Sequence, residues 1–245
     1  MLGEFPPESA EWVIIPQDWF DKVSEPPPAV DAAAPVAFGL DTAGGKSENV
    51  LASVQGRVVR LEWASRDQHQ TPRLVAAVRE CAGRYSTPPV VAVDYVGLGG
   101  KGVGDDLAAD GWSVLPFVGG GREFAGIVES SGLYADVATW AWFSLREAVR
   151  LTVQAIDAGR PERYIYLPRD PVLREQLARR FTAAGDRRYK METKDPADSP
   201  DRGDAVAMAW LASVVAGNPG GRVVVSAEDV LPDLDQLGVG KIGAY

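Results

Sequence analysis

The chain has 245 residues, 46% hydrophobic and 24% charged, with a formal net charge of −9 at pH 7. That length and balance describe an ordinary globular protein with a sizeable core, in one large domain or two small ones. No apolar run approaches the ~20 residues of a membrane span, and the acidic start MLGEFPPESAEW lacks the basic and apolar regions of a signal peptide. A single cysteine, Cys81, excludes an internal disulfide framework, and its helical surroundings (LVAAVRECAGRY) predict a small buried core residue. A single histidine, His69, in the polar connection SRDQHQTP, excludes zinc sites built from several His and Cys. Any metal site must then be made of oxygen ligands, which favours Mg²⁺ or Mn²⁺.

In chain order, residues 1–35 are irregular and Pro-rich and read as a lead-in or linker packed on a neighbour. Val36, Ala37 and Phe38 read as a short buried strand, with Gly39, Gly44 and Gly45 marking the bend that ends it and Asp41 where the strand runs out. Two β-rich runs around Gln55-Gly56 predict a hairpin over 49–65. TPRLVAAVRECAGRYS reads as an amphipathic helix closed by Ser86 and Pro88. Val90–Val93 form a continuous apolar run, as in a central strand covered on both faces, and Asp94 terminates it. A glycine-rich connection, a short helix and the strand WSVLPFVG follow, then a Gly- and Ser-rich segment over 118–134 that reads as a mobile loop or small hairpin.

DVATWAWFSLREAVRLTVQAIDAG is a long helix with Trp142, Leu145, Val149, Val153 and Ile156 along one face. YIYLP reads as a strand, DPVLREQLARRFTAAG as a helix ended by Gly185, and RRYKMETK as a short polar strand. SPDRGDAVAMAWLASVVAGN is apolar almost all round and predicts a mostly buried helix. Residues 218–245 form an acidic tail with one β-like run. An early hairpin followed by alternating helices and strands indicates an α/β sheet of mixed direction, with a main domain over 36–217.

Two glycine-rich stretches imitate nucleotide sites. GLDTAGGKS resembles the P-loop G-x-x-x-x-G-K-[ST], but one extra residue separates Gly39 from Gly45 and the following segment is strand-like, where a P-loop opens a helix. Gly97, Gly99 and Gly102 fit G-x-G-x-x-G, but Asp94 precedes them where it would oppose a pyrophosphate. In SPDRGDA, Ser199 fits an N-cap, Pro200 the first helical position, and Asp201 a solvent-near, dipole-stabilising place in the first turn. Asp204 opens the apolar face of the helix, so its carboxylate is expected to be partly buried and in need of a cation or partner. Asp201 and Asp204 are three apart and share a helix face. Carboxylates at two strand ends and one helix start, Asp41, Asp94 and Asp204, make an oxygen-ligand site that two metal ions can use for phosphodiester displacement.

GLDTAGG, VVAVDYVGLGGKGVGDDL and SPDRGDAVAMAW, in this order and spacing, resemble the nuclease domain of the large terminase subunit of tailed bacteriophages, which has a ribonuclease H-like fold. LGEFPPE and IIPQDWF resemble the segment joining the packaging ATPase to that nuclease, and the likeness spans roughly residues 2–215. It implies a mixed central β-sheet flanked by helices. It also implies a Mg²⁺- or Mn²⁺-dependent endonuclease, with two ions held by Asp41, Asp94 and Asp204 and with Asp201 as a candidate fourth group. The substrate implied is concatemeric double-stranded viral DNA. The partners implied are the packaging ATPase domain, the portal and the small terminase subunit, in the host cytoplasm and with no membrane.

The chain departs from the family in having no ATPase domain within it and in a short connection from Lys194 to Ser199. Alternatives within the sequence reading are a junction resolvase or other ribonuclease H-like nuclease, and a non-catalytic module docking DNA or the portal. The net charge argues against nucleic acid, but its distribution is uneven. Residues 1–31 hold one Lys against seven acids, and residues 160–194 hold ten Lys or Arg against five. Lys46, Lys101, Arg187, Arg188, Lys190 and Lys194 are therefore the expected DNA contacts.

Overall fold

A computed structural model describes residues 13–43, 47–67, 70–97, 99–128, 132–183, 188–192 and 199–217. His69, Lys46, Arg187, Lys194 and the tail over 218–245 lie outside the described residues.

The central strand, β1, runs from Val36 to Asp41, longer than the sequence suggests. Antiparallel to it lies β2 (Asn49–Gln55), then β3 (Val58–Ser65). On its other side β4 (Val90–Asp94) pairs in parallel, followed by β5 (Val114–Phe117). The order β3-β2-β1-β4-β5 is a mixed sheet, reached through α2 (Thr71–Ala82) and α3 (Gly100–Ala109). Alternation along β1 sorts the core into two layers. Val36, Phe38 and Leu40 join Leu74, Val78, Val103 and Leu107 on the face covered by α2 and α3. Ala37 turns to the other face, where α6 (Asp201–Ala216) lies across the sheet and α4 (Val137–Asp157) packs behind it. Each large, fully buried side chain in these layers contributes about 1.5–3 kcal/mol.

Gly39 does not bend the chain; it lies inside β1 because α6 crosses there at backbone contact. A Cβ at Gly39 would stand 2.2 Å from the Ala205 carbonyl oxygen and 2.5 Å from the Ala209 nitrogen. This close crossing fixes where the start of α6 falls relative to the strand ends.

The lead-in is described from residue 13 onward, and that part is built into the main core. Ile14 and Ile15 are fully buried, and α1 (Gln17–Val23) adds Phe20 and Val23 to the same cluster. Arg146 of α4 donates to the carbonyls of Val13 and Ile14 and lies over the Trp19 ring; its burial pulls the guanidinium down to about 10.

Two elements differ from the sequence reading. YIYLP makes only a single parallel bridge, Tyr166 to Val58, because Leu167 turns to donate to Val23 instead of continuing a ladder. The helix expected to run to Gly185 stops at Leu177 (α5, Pro171–Leu177), and Phe181–Ala183 forms β8. Strand pairing with β9 (Tyr189–Met191) and the packing of Phe181 on Phe143 and Tyr189 outweigh the local helical pattern. The segment over 118–134 contains a small hairpin, β6 (Glu123–Phe124) with β7 (Ile127–Val128).

Candidate metal centre

Asp41 and Asp94 end neighbouring parallel strands. The register Leu40 to Val93 makes them the next pair, and strand alternation turns both toward the α6 face, with Ala37 and Ala92. Asp41 is buried and Asp94 is half-buried. The Asp94 carboxylate accepts from the Val96 backbone N–H at 2.9 Å, which folds the chain sharply after the strand.

The glycines that follow serve this corner rather than a nucleotide. A Cβ at Gly97 would meet both Oγ1 of Thr42, at 2.6 Å, and Oδ2 of Asp94, at 2.9 Å. One at Gly100 would lie 1.8 Å from the Asp94 carbonyl oxygen. The buried hydroxyl of Thr42, beside the Asp94 carboxylate, has no hydrogen-bond partner among the described residues, and such a group calls for a water or an ion.

The start of α6 lies against the same end of the sheet. Oδ2 of Asp201 accepts from the Glu48 backbone N–H at 2.6 Å, just before β2 and near Val50, the partner of Asp41. Asp201 is 6% exposed, and Asp204 is half-buried, with Oδ1 accepting from the Trp142 indole at 2.9 Å. Asp204 is thus partly buried as the sequence predicts, while Asp201, expected near solvent, is the more deeply buried of the two. Asp201 precedes Ala205 and Ala209 by four and eight positions, on the stripe that lies over β1. Asp204 turns toward α4 and has a protein partner there. Ser199 is not the cap either; Pro200 holds the N-cap position without a side-chain bond.

Several residues at this end were not singled out from the sequence. Glu48 is buried, on the same strand parity as Val50, Ala52 and Val54. Arg202 donates to both its oxygens, at 2.8 and 3.1 Å, and to Asp170 at 2.7 Å. The Arg202 guanidinium holds the Glu48 carboxyl below its usual range, and Glu48 raises Arg202 in turn. Glu48 alone was legible, as an acid on the sheet-facing parity; Gln176, Asp170 and Trp142 reach the site from distant chain positions.

The donors at this corner are carboxylates and a hydroxyl, which suit a hard cation such as Mg²⁺ or Mn²⁺. Among the described residues no three acidic, His or Cys side chains stand close enough to form a ready-made metal cage.

Of the expected DNA contacts, Lys101, Arg188 and Lys190 are among the described residues. Lys101 pairs with Asp105 one helical turn away and lies near the Tyr95 ring, Arg188 is half-buried, and Lys190 is exposed on β9. Three arginines of the basic segment bind the lead-in: Arg174 pairs with Asp21, Arg163 with Glu25, and Arg169 donates to the Ser24 carbonyl. The two charge asymmetries of the sequence partly cancel.

No family model and no curated protein matches the sequence. Solved structures do match. A mutant nuclease domain of the large terminase subunit gp2 of bacterial virus Sf6, with manganese and beta-thujaplicinol, superposes with a TM-score of 0.65 at 16% identity, covering 81% of this chain and 98% of that one. The large terminase nuclease of thermophilic phage G20c with bound magnesium gives 0.54 at 14% identity, covering 83% and 98%. The same nuclease with bound cobalt gives 0.54 at 15%, with the same coverage. A five-stranded mixed sheet with a helix laid across its central strand gives this chain the ribonuclease H-like fold of the large terminase nuclease domains.

Proposed function

We propose that the chain is a divalent-metal-dependent endodeoxyribonuclease that cuts concatemeric viral DNA during genome packaging. The observation that supports this reading is that acids from β1, β4 and α6 lie at the same end of one sheet face, with a Thr42 hydroxyl beside Asp94 that has no partner among the described residues. The resemblance in fold to terminase nucleases, some of them holding manganese, magnesium or cobalt, supports the metal and the reaction class.

In this reading Asp41, Asp94, Asp201 and Asp204 hold two Mg²⁺ or Mn²⁺ ions. Such a pair supplies an activated water and stabilises the leaving oxygen in phosphodiester hydrolysis. The protein's part is placement. Asp41 and Asp94 sit on paired strand ends, Asp201 is oriented by the Glu48 N–H, and Asp204 by the Trp142 indole. Viral double-stranded DNA, the packaging ATPase, the portal and the small terminase subunit are the proposed partners, in the host cytoplasm. With net charge −9, DNA affinity should be weak and fall steeply with salt.

Incubation with supercoiled plasmid tests the reading. Nicking and linearisation with Mn²⁺ or Mg²⁺, and none with EDTA, are expected. Cleavage undiminished by chelation, or no cleavage in either metal, would overturn it.

A further inference from the structure

We infer that Arg202 and Gln176 are positioning residues that set the first turn of α6, and with it the Asp201 and Asp204 carboxylates, against the strand ends. This rests on the nuclease reading above and deepens it. A helix start exposes N–H groups that need acceptors, and the residue before α6, Pro200, supplies none from its side chain. Gln176, on α5, supplies it from outside: its Oε1 accepts from the backbone N–H of Arg202 at 2.8 Å and of Gly203 at 3.1 Å. Arg202 then reaches both ways, to Glu48 at the start of β2 and to Asp170. Asp170 is itself fixed, because its other oxygen caps α5 through the Leu173 N–H at 2.7 Å.

The clamp acts where the acids are. From Ala205 onward α6 is held by burial, with Ala205, Val206, Ala209 and Leu211 fully enclosed. Only its first turn depends on these polar contacts, and that turn carries Asp201 and Asp204. Arg202 has a second effect. By engaging both oxygens of Glu48 it keeps this neighbouring acid out of the ion-binding set. A misplacement of about 1 Å at a reacting centre costs on the order of 100-fold in rate, so a clamp on one helical turn has functional weight out of proportion to its bond count.

The test uses the whole chain and the variants Arg202→Lys, Gln176→Ala and, as a control, Arg174→Gln. Arg174 pairs with exposed Asp21 on α1. Three quantities are read: the Mn²⁺ concentration giving half-maximal plasmid nicking, the KM for DNA, and the melting temperature. The expected result is a Mn²⁺ midpoint raised by about 10-fold or more in the two clamp variants, within the range for groups that orient metal ligands. KM for DNA should stay at the wild-type value, and Arg174→Gln should match wild type throughout. If Arg202→Lys does not fold, Gln176→Ala carries the test. Folded variants with a wild-type Mn²⁺ midpoint would overturn the inference. So would unfolding of both, because the contacts would then serve the fold and not the site. A wild-type chain that neither nicks DNA nor binds Mn²⁺ by calorimetry would instead overturn the nuclease reading.

Discussion

Two glutamates, Glu48 just before β2 and Glu62 on β3, are each held by an arginine, and their surroundings differ in kind. Glu62 on β3 is tied by three bonds: it accepts from the Ser53 hydroxyl at 2.7 Å, from the Tyr85 phenol, and from Arg84 at 3.0 Å. Those three partners are two hydroxyls and a cation, with no second acid among them. Glu48 shares its arginine with Asp170, and its own backbone N–H serves a third acid, Asp201, with Asp41 close by on β1. A network that closes on itself fixes structure, since every donor and acceptor is used. A gathering of carboxylates around one guanidinium leaves an excess of negative charge that a cation can neutralise, and such clusters mark functional sites.

The strongest way to break this comparison is to remove an acid from each side. Asp94→Asn should reduce metal-dependent nicking by more than the ~100-fold typical of groups outside the coordination sphere, with the circular dichroism spectrum unchanged. Residual activity restored by extra Mn²⁺ would demote Asp94 to a supporting role. Glu62→Gln should do the reverse. It disturbs a satisfied buried network, for a loss of about 1–3 kcal/mol, or roughly 2–12 °C in melting temperature at this chain length, with the Mn²⁺ midpoint untouched. A loss of nicking at full stability would abolish the distinction.

Titration separates the networks by sign. Hydrogen bonding from Arg202 lowers Glu48 in the folded chain. The stability it contributes is therefore present above its ordinary value of 4.5 and is lost as pH falls below that, through the lowered folded value. Burial, then the bond to Glu62, raises Tyr85. Its contribution is present below its ordinary value of 10.0 and is lost as pH rises beyond that. Melting curves across pH should show Arg202→Lys flattening only the acid limb and Tyr85→Phe only the alkaline one. The smallest effect is expected from Arg84→Gln, because its side chain is 54% exposed. A surface ion pair of that kind contributes ~0–1 kcal/mol, so a larger loss of melting temperature would mean that Glu62 depends on Arg84 more than on Tyr85 and Ser53.

Sequence patterns carried the elements whose signals are local. The 49–65 hairpin is marked by Gln55-Gly56, the β4 strand by its apolar run, and α4 and α6 by helical periodicity, and all four are present. The same is true of Cys81, which is buried as its helical setting predicts. The strand ends at Asp41 and Asp94 were legible because an apolar run that stops at an acid marks the point where a strand leaves the core. Motif order and spacing also anticipated the fold that the superpositions match.

Tertiary structure decided what depends on a partner far along the chain. Gly39 reads as a bend in sequence, yet it lies within β1 because the α6 backbone passes over it. Phe181 follows a helical pattern, yet it joins a strand because Phe143 and Tyr189 receive its ring. The basic segment reads as a DNA surface, yet several of its arginines hold the acidic lead-in. Asp201 is buried more deeply than its first-turn position suggests, because a helix pattern gives which residues share a face, and only the crossing with β1 gives which edge of that face meets the sheet. The clamp on α6 lay beyond any local reading, since Glu48 and Arg202 are 154 positions apart. Spacing along a chain fixes the chemistry of a short segment, and the packing of distant segments fixes what that chemistry touches.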